Sequence, residues 1–149
     1  MIKFVPLDKE NIDMVYELEC LCFEKPWTKK MFEAELLNDI SYYILAVDTT
    51  YDAAVGYVGV WLTYDFGDIT KIAVHPDFRR NGIAKKLLDT VKDICSKHKI
   101  NKICLEVNEN NKSAIALYEN YGFLTDGVRK KYYENKFDAK LMTYLIKEV

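Results

Sequence analysis

The chain has 149 residues, a mass of 17.4 kDa and a formal net charge of −2, with 50% hydrophobic and 30% charged residues. That balance describes one globular domain over residues 1–149 and excludes both a disordered chain and a broad nucleic-acid-binding surface, which needs a basic field. No apolar run has membrane-spanning length and no leader stands at the start, so the expected setting is cytoplasmic, without membrane or direct nucleic-acid contact.

In chain order, Ile2 to Leu7 alternates as a first strand, and Asp8 is expected to cap a helix carrying Ile12, Val15, Leu18 and Cys22 on one stripe. Phe23 to Trp27 breaks that helix, and Thr28 opens the next, with Phe32, Leu36 and Leu37 as its buried face. Ser41 to Val47 and Val55 to Tyr64 read as a hairpin, in which Gly56 and Gly59 mark a bulge or a close backbone neighbour. Ile69 to Val74 is a fourth strand. A helix follows with Ile83, Leu87, Leu88, Val91, Ile94 and Cys95 on one face.

Lys102 to Asn108 is a fifth strand, with Leu105 and Val107 on one side and Glu106 on the other. Asn110 or Asn111 caps a helix over Ser113 to Tyr121, closed by Gly122, and two strands near Phe123–Lys131 and Lys140–Lys147 end the chain. The order β-α-α-β-β-β-α-β-α-β-β predicts an α/β (α+β) fold, a mixed sheet with helices on both faces. Among the four cysteines, Cys20 and Cys22 are too local for a framework, and Cys95 and Cys104 read as small core residues. With only His75 and His98 beside them, no metal site is expected.

The most informative stretch is Ile72-Ala73-Val74-His75-Pro76-Asp77-Phe78-Arg79-Arg80-Asn81-Gly82-Ile83-Ala84. A strand feeding a glycine turn at a helix N-terminus offers unpaired backbone N–H groups and the positive end of the helix dipole to an anion. A lone glycine there also serves simply to ease the turn. The spacing matches neither the dinucleotide fingerprint nor the P-loop.

What Arg79, Gly82 and Ala84 do resemble is the acyl-coenzyme A signature Q/R-x-x-G-x-G/A of the GNAT acetyltransferases, preceded by that family's I-A-V-x-P strand end. Leu105-Glu106-Val107, Asn111, Ala114, Leu117-Tyr118 and Gly122-Phe123 keep every spacing of the GNAT segment L-E-V-x-x-x-N-x-x-A-x-x-L-Y-x-x-x-G-F. Three further elements resemble the RimI branch of the family: Phe23 with Pro26-Trp27-Thr28, Arg129 with Tyr132-Tyr133, and Asp138-Ala139 with Met142. The resemblance covers essentially the whole chain.

It implies the GNAT fold, with a mixed sheet of about seven strands, and an acetyl-CoA-dependent N-acetyltransferase that uses no metal. The backbone of Ile72, Ala73 and Val74 would pair with the pantetheine arm, Asn111 would touch the same arm, and Arg79, Arg80, Asn81, Gly82, Ile83 and Ala84 would hold the pyrophosphate. Glu106 would be the general base and Tyr118 the proton donor to the coenzyme thiolate. Pro26, Trp27, Tyr132 and Tyr133 would form the acceptor pocket. In the RimI branch the acceptor is the N-terminal alanine of a small-subunit ribosomal protein.

Each of these residues has a plainer reading. Glu106 stands as readily for a surface carboxylate paired with Arg129, Tyr118 for a core aromatic, Asn111 for a helix cap and Trp27 for ordinary packing. The Arg129-Lys130-Lys131 run reads as a solvated strand end, with local steering of the substrate as its second reading. An α-amine with a pKa of about 7.7–8.0 is neutral roughly one time in seven at pH 7, against about four in ten thousand for lysine, so an α-amine asks little of its base. Phe66 and Lys71 depart from the pattern, which commonly has an acid and an asparagine there, near the expected acceptor entrance; Asp68 is a candidate to replace the missing acid in part. Two other functions stay open: acetylation of a small-molecule amine or a lysine side chain, and a non-catalytic acyl-CoA binding module.

Overall fold

The computed structural model describes residues 1–133 and 136–147; the side chains of 131–133 lie outside that description. Seven strands, β1 (Ile2–Pro6), β2 (Ser41–Asp48), β3 (Ala53–Leu62), β4 (Gly67–Val74), β5 (Lys102–Asn108), β6 (Leu124–Tyr133) and β7 (Phe137–Leu145), form one sheet in the order β1-β2-β3-β4-β5-β7-β6. The β4–β5 pair is parallel and the other neighbours run antiparallel. Helices α1 (Ile12–Cys22) and α2 (Lys29–Leu36) cover one face, α3 (Ile83–Lys97) and α4 (Lys112–Tyr121) the other.

The apolar stripes explain the two layers. Ile83, Leu87, Leu88, Val91 and Cys95 of α3 are buried against Val58, Val60 and Ile103 of the sheet, with Ile94 half-buried at the margin. On the other face Val15, Leu18 and Phe32 pack on Leu45 and Tyr57. The Thr28 hydroxyl caps α2 by accepting from Met31 N at 3.2 Å, and Asn111 Oδ1 caps α4 by accepting from Ala114 N at 3.3 Å.

Local chemistry overturns three expectations. Asp8 is not the α1 cap: its Oδ1 accepts from Glu10 N and Asn11 N in a preceding turn, and Asn11 holds the cap position. Leu37 is 84% exposed because α2 ends at Leu36 and the next residue rotates away from the sheet. Cys104 is half-buried on the same face of β5 as Glu106, where its thiol lies 3.8 Å from Thr143 Oγ1, rather than in the apolar layer.

Both glycine signals in the hairpin are real. Pairing shifts by one residue between Ala46 and Val47 opposite Gly56, and again between Gly59 and Val60. A Cβ on Gly59 would lie 2.2 Å from the Tyr43 ring, so only glycine lets that ring lie across the strand. The second shift leaves Thr70 as the extra residue of β4 and turns both Thr70 and Lys71 toward the α1/α2 face.

The decisive feature is the divergence of the two central strands. β4 and β5 pair only at Gly67–Ile103 and Asp68–Cys104, while β4 stays bonded to β3 as far as Val74 and β5 to β7 as far as Asn108. The sheet therefore splits along its carboxyl half, where open α/β sheets bind ligands.

Candidate active site

A cleft of about 710 Å³ opens at that split. One wall is the end of β4 (Ile72, Ala73, Val74), the floor is the turn into α3 (Phe78, Arg79, Arg80, Gly82 to Lys85), and the far wall is α4 from Asn111 to Asn120, including Tyr118. Cys22 and Phe23, at the end of α1, close the near side. This volume suits a large cofactor-like molecule rather than an ion.

The floor has the geometry of an anion cradle. Gly82 is the N-cap of α3 at φ 76°, a left-handed conformation, and Arg80 also has positive φ at 65°. The first intrahelical bond of α3 runs from Lys86 N to Gly82 O at 3.1 Å, so the N–H groups of Ile83, Ala84 and Lys85 start the helix without partners within it. A Cβ built on Gly82 meets no atom within 4 Å, which marks open space in front of those donors. Arg79, Arg80 and Lys85 bring three cations to the same wall. Arg79 also secures the turn, its Nε donating to Val74 O at 3.1 Å. These residues fit a pyrophosphate. Asn81 instead donates from Nδ2 to Phe78 O at 3.2 Å, bracing the turn, and is not part of the cleft wall.

Tyr118 is both packed in the core and turned to the cleft. Its ring is buried beside Phe123 at 5.6 Å between centroids, and the residue lines the cleft. Asn111 likewise caps α4 and borders the cleft. Cys22 stands at the cleft, but burial pushes its thiol up despite the opposing pull of Arg79, which makes it a poor nucleophile at neutral pH.

Glu106 projects from β5 toward the α1/α2 face, away from the layer that holds Leu105 and Val107. It is not part of the cleft wall and lies across the split between β4 and β5 from it. Its Oε1 accepts from Arg129 Nη2 at 2.7 Å, so the expected pairing exists. Its charge, after burial, also raises the carboxyl of Asp68 on the adjacent strand. Lys130 approaches Asp138 Oδ2 at 3.4 Å.

Pro26 and Trp27 lie half-buried between α1 and α2, on the Glu106 side of the sheet. The Trp27 ring packs 5.3 Å from Phe32 and 6.2 Å from Tyr43, so part of it is core. Tyr132 and Tyr133 fall at the end of β6, their side chains outside the described residues.

Glu19 had no place among the expected site residues. Glu19, on the buried face of α1, is wholly enclosed and binds Lys71, Tyr57 and the Trp27 backbone. Its signal was present in the sequence: it lies four residues after Val15 and seven after Ile12, a charged residue on an apolar stripe.

The acetyltransferase (GNAT) family model matches residues 12–123. A Bacillus subtilis protein provisionally named a ribosomal protein bS18-alanine N-acetyltransferase is 36% identical over 140 residues, 93% of this chain and 92% of its own length. The crystal structure of the Escherichia coli ribosomal-protein-S18-alanine N-acetyltransferase superposes with a TM-score of 0.87 at 26% identity, covering 100% of this chain and 96% of that one. A chain of the NatC complex, crystallised with Gag peptide and CoA, gives 0.81 at 26% identity over 98% and 99%. Among the described residues no helix is long and apolar enough to cross a membrane.

Proposed function

The chain belongs to the acetyltransferase (GNAT) family and is an acetyl-CoA-dependent N-acetyltransferase; we propose that its acceptor is the α-amine of a protein N-terminus, with alanine first, on a small-subunit ribosomal protein. The observation that carries the reading is the split between β4 and β5, which joins a coenzyme-sized cleft on one side to Glu106 on the other. The likeness to bS18-alanine acetyltransferases over nearly the full chain supports the acceptor. So does the chemistry, since one carboxylate suffices as base for an α-amine but is a poor match for lysine. In this reading residues 1–149 act as one domain, in the cytoplasm where ribosomes are modified.

The coenzyme supplies the activated acetyl group. The strand edge at Ile72 to Val74 aligns the pantetheine arm, and Asn111 meets it from α4. Gly82 to Lys85, with Arg79 and Arg80, hold the pyrophosphate. The acceptor enters over the α1/α2 face between the Pro26-Trp27 loop and the Tyr132-Tyr133 end of β6. Glu106 takes a proton from the attacking amine, directly or through one water. As the new C–N bond forms and the C–S bond breaks, Tyr118 gives its phenolic proton to the departing sulfur. Both groups recover their starting state by exchange with water. Thiol and phenol pKa values of about 8.5 and 10 leave that transfer modestly uphill, within the reach of a hydrogen-bonded pair.

The test is acetyl transfer from acetyl-CoA to a panel of N-terminal peptides and small amines, with the acetyl group located by mass spectrometry. Modification of alanine-first peptides at the α-amine supports the reading. Small amines outcompeting every peptide would overturn it.

A further inference from the structure

Glu19 is a fully buried carboxylate on α1 and is not part of the cleft wall. Oε2 accepts from Lys71 Nζ and, at 2.8 Å, from Trp27 N, while Oε1 accepts from the Tyr57 hydroxyl. Burial and this bond raise the Tyr57 phenol well above its ordinary value, so it stays a donor. The Lys71 ammonium also lies 4.4 Å from the centre of the Phe23 ring and 4.6 Å from that of Trp27. Two aromatic faces and a carboxylate form the arrangement by which proteins recognise a ligand ammonium. Here the chain fills it with a lysine of its own.

A buried ion pair is a weak device for stability, because desolvation offsets most of the attraction, so its presence beside a binding site calls for another reason. The location supplies one. Lys71 and Glu106 project toward the same face of the sheet from the two strands that split, and Phe23 also borders the cleft. The pair is asymmetric, with Glu19 enclosed and the Lys71 side chain 16% exposed, so the lysine is the partner nearer the surface.

We propose that Lys71, anchored by Glu19, is a specificity-determining residue that occupies an ammonium cage beside the acceptor path. It excludes acceptors with a cationic first side chain and leaves room for a small, neutral one. The inference rests on the acceptor path proposed above. It has a consequence that simple packing does not share: without Lys71, the Glu19–Phe23–Trp27 cage is open to the substrate's own cation.

The experiment compares wild type, Lys71→Ala and the double variant Glu19→Gln/Lys71→Ala on two peptides differing only in an alanine or lysine first residue. Specificity constants are read at the α-amine by mass spectrometry. Wild type should favour the alanine peptide by about tenfold or more, and Lys71→Ala should lower that ratio by about tenfold, through KM for the lysine peptide. The double variant, which lacks the carboxylate, should lose the gain. Each variant must still be stabilised by acetyl-CoA in thermal melts. If Lys71→Ala is not, Lys71→Asn, which removes the cation but keeps a polar side chain, takes its place and the same ratio decides. A ratio unchanged in a variant that acetyl-CoA stabilises overturns the inference. Failure of the broader acceptor reading looks different: wild type then modifies neither peptide at its α-amine.

Discussion

Arg129 on β6 reaches across β7 at the buried Ala139 to donate to Glu106 on β5, at 2.7 Å. Both side chains are partly exposed, so the pair is worth little to stability, about 0–1 kcal/mol. What it does fix is the direction of one Glu106 oxygen.

Glu106→Gln keeps an acceptor for Arg129 and loses only the base. Turnover should fall by about 10²–10⁴, with acetyl-CoA affinity and melting temperature nearly unchanged. The deficit should shrink as pH rises through the α-amine range of about 7.7–8.0, where the acceptor deprotonates unaided. Full rate at neutral pH would assign the proton to another group or to water.

Gly82→Val addresses the cradle. Acetyl-CoA at 100 times its dissociation constant should stabilise the wild type by about 2.7 kcal/mol. The new side chain would point into open space, so the fold bears mainly the strain of a β-branched residue at φ 76°. Most of the coenzyme-dependent shift should vanish, because the side chain stands before the helix N–H groups. A full shift in the variant would remove this turn from the coenzyme site.

Asn111 caps α4 and borders the cleft, and substitutions separate the two positions it holds. Asn111→Ala should cost about 1 kcal/mol through the lost cap, and Asn111→Asp should restore it. If the amide also serves the pantetheine arm, the aspartate variant regains stability but not acetyl-CoA affinity. Isothermal titration beside thermal melts reads both; recovery of both together would leave Asn111 a cap alone.

Asp68 predicts a pH dependence. Burial first, and the Glu106 charge second, push its carboxyl above the ordinary range. A carboxyl raised on folding contributes stability that is present below its unfolded pKa and is lost as pH rises through the folded value. Asp68→Asn should therefore be near neutral at about pH 3.5 and increasingly stabilising toward about pH 7. A melting-temperature difference that stays flat or falls over that range contradicts the assignment.

Much of this was legible in the sequence wherever a signal is local. The α3 stripe, the Thr28 and Asn111 caps, Gly82 and the crowded Gly59 each follow from spacing within a few residues. Asp8 misled because Asn11 binds back to it, Asn11 Oδ1 accepting from Asp8 N at 2.8 Å, and the turn they form displaces the helix start. Glu19 was harder: its partner Lys71 lies 52 residues away, and the β4 bulge that aims that lysine comes from pairing with β3. The composition of α1 announces a buried charge, but only the sheet supplies its counterion.

The most direct measurement is competition between two forms of one alanine-first peptide, with its N-terminus free or blocked and a lysine retained in both. Acetyl-CoA should modify only the free form, at its α-amine, with the blocked form inert. Acetylation of the lysine in the blocked peptide, as fast as the free peptide is modified, would contradict it.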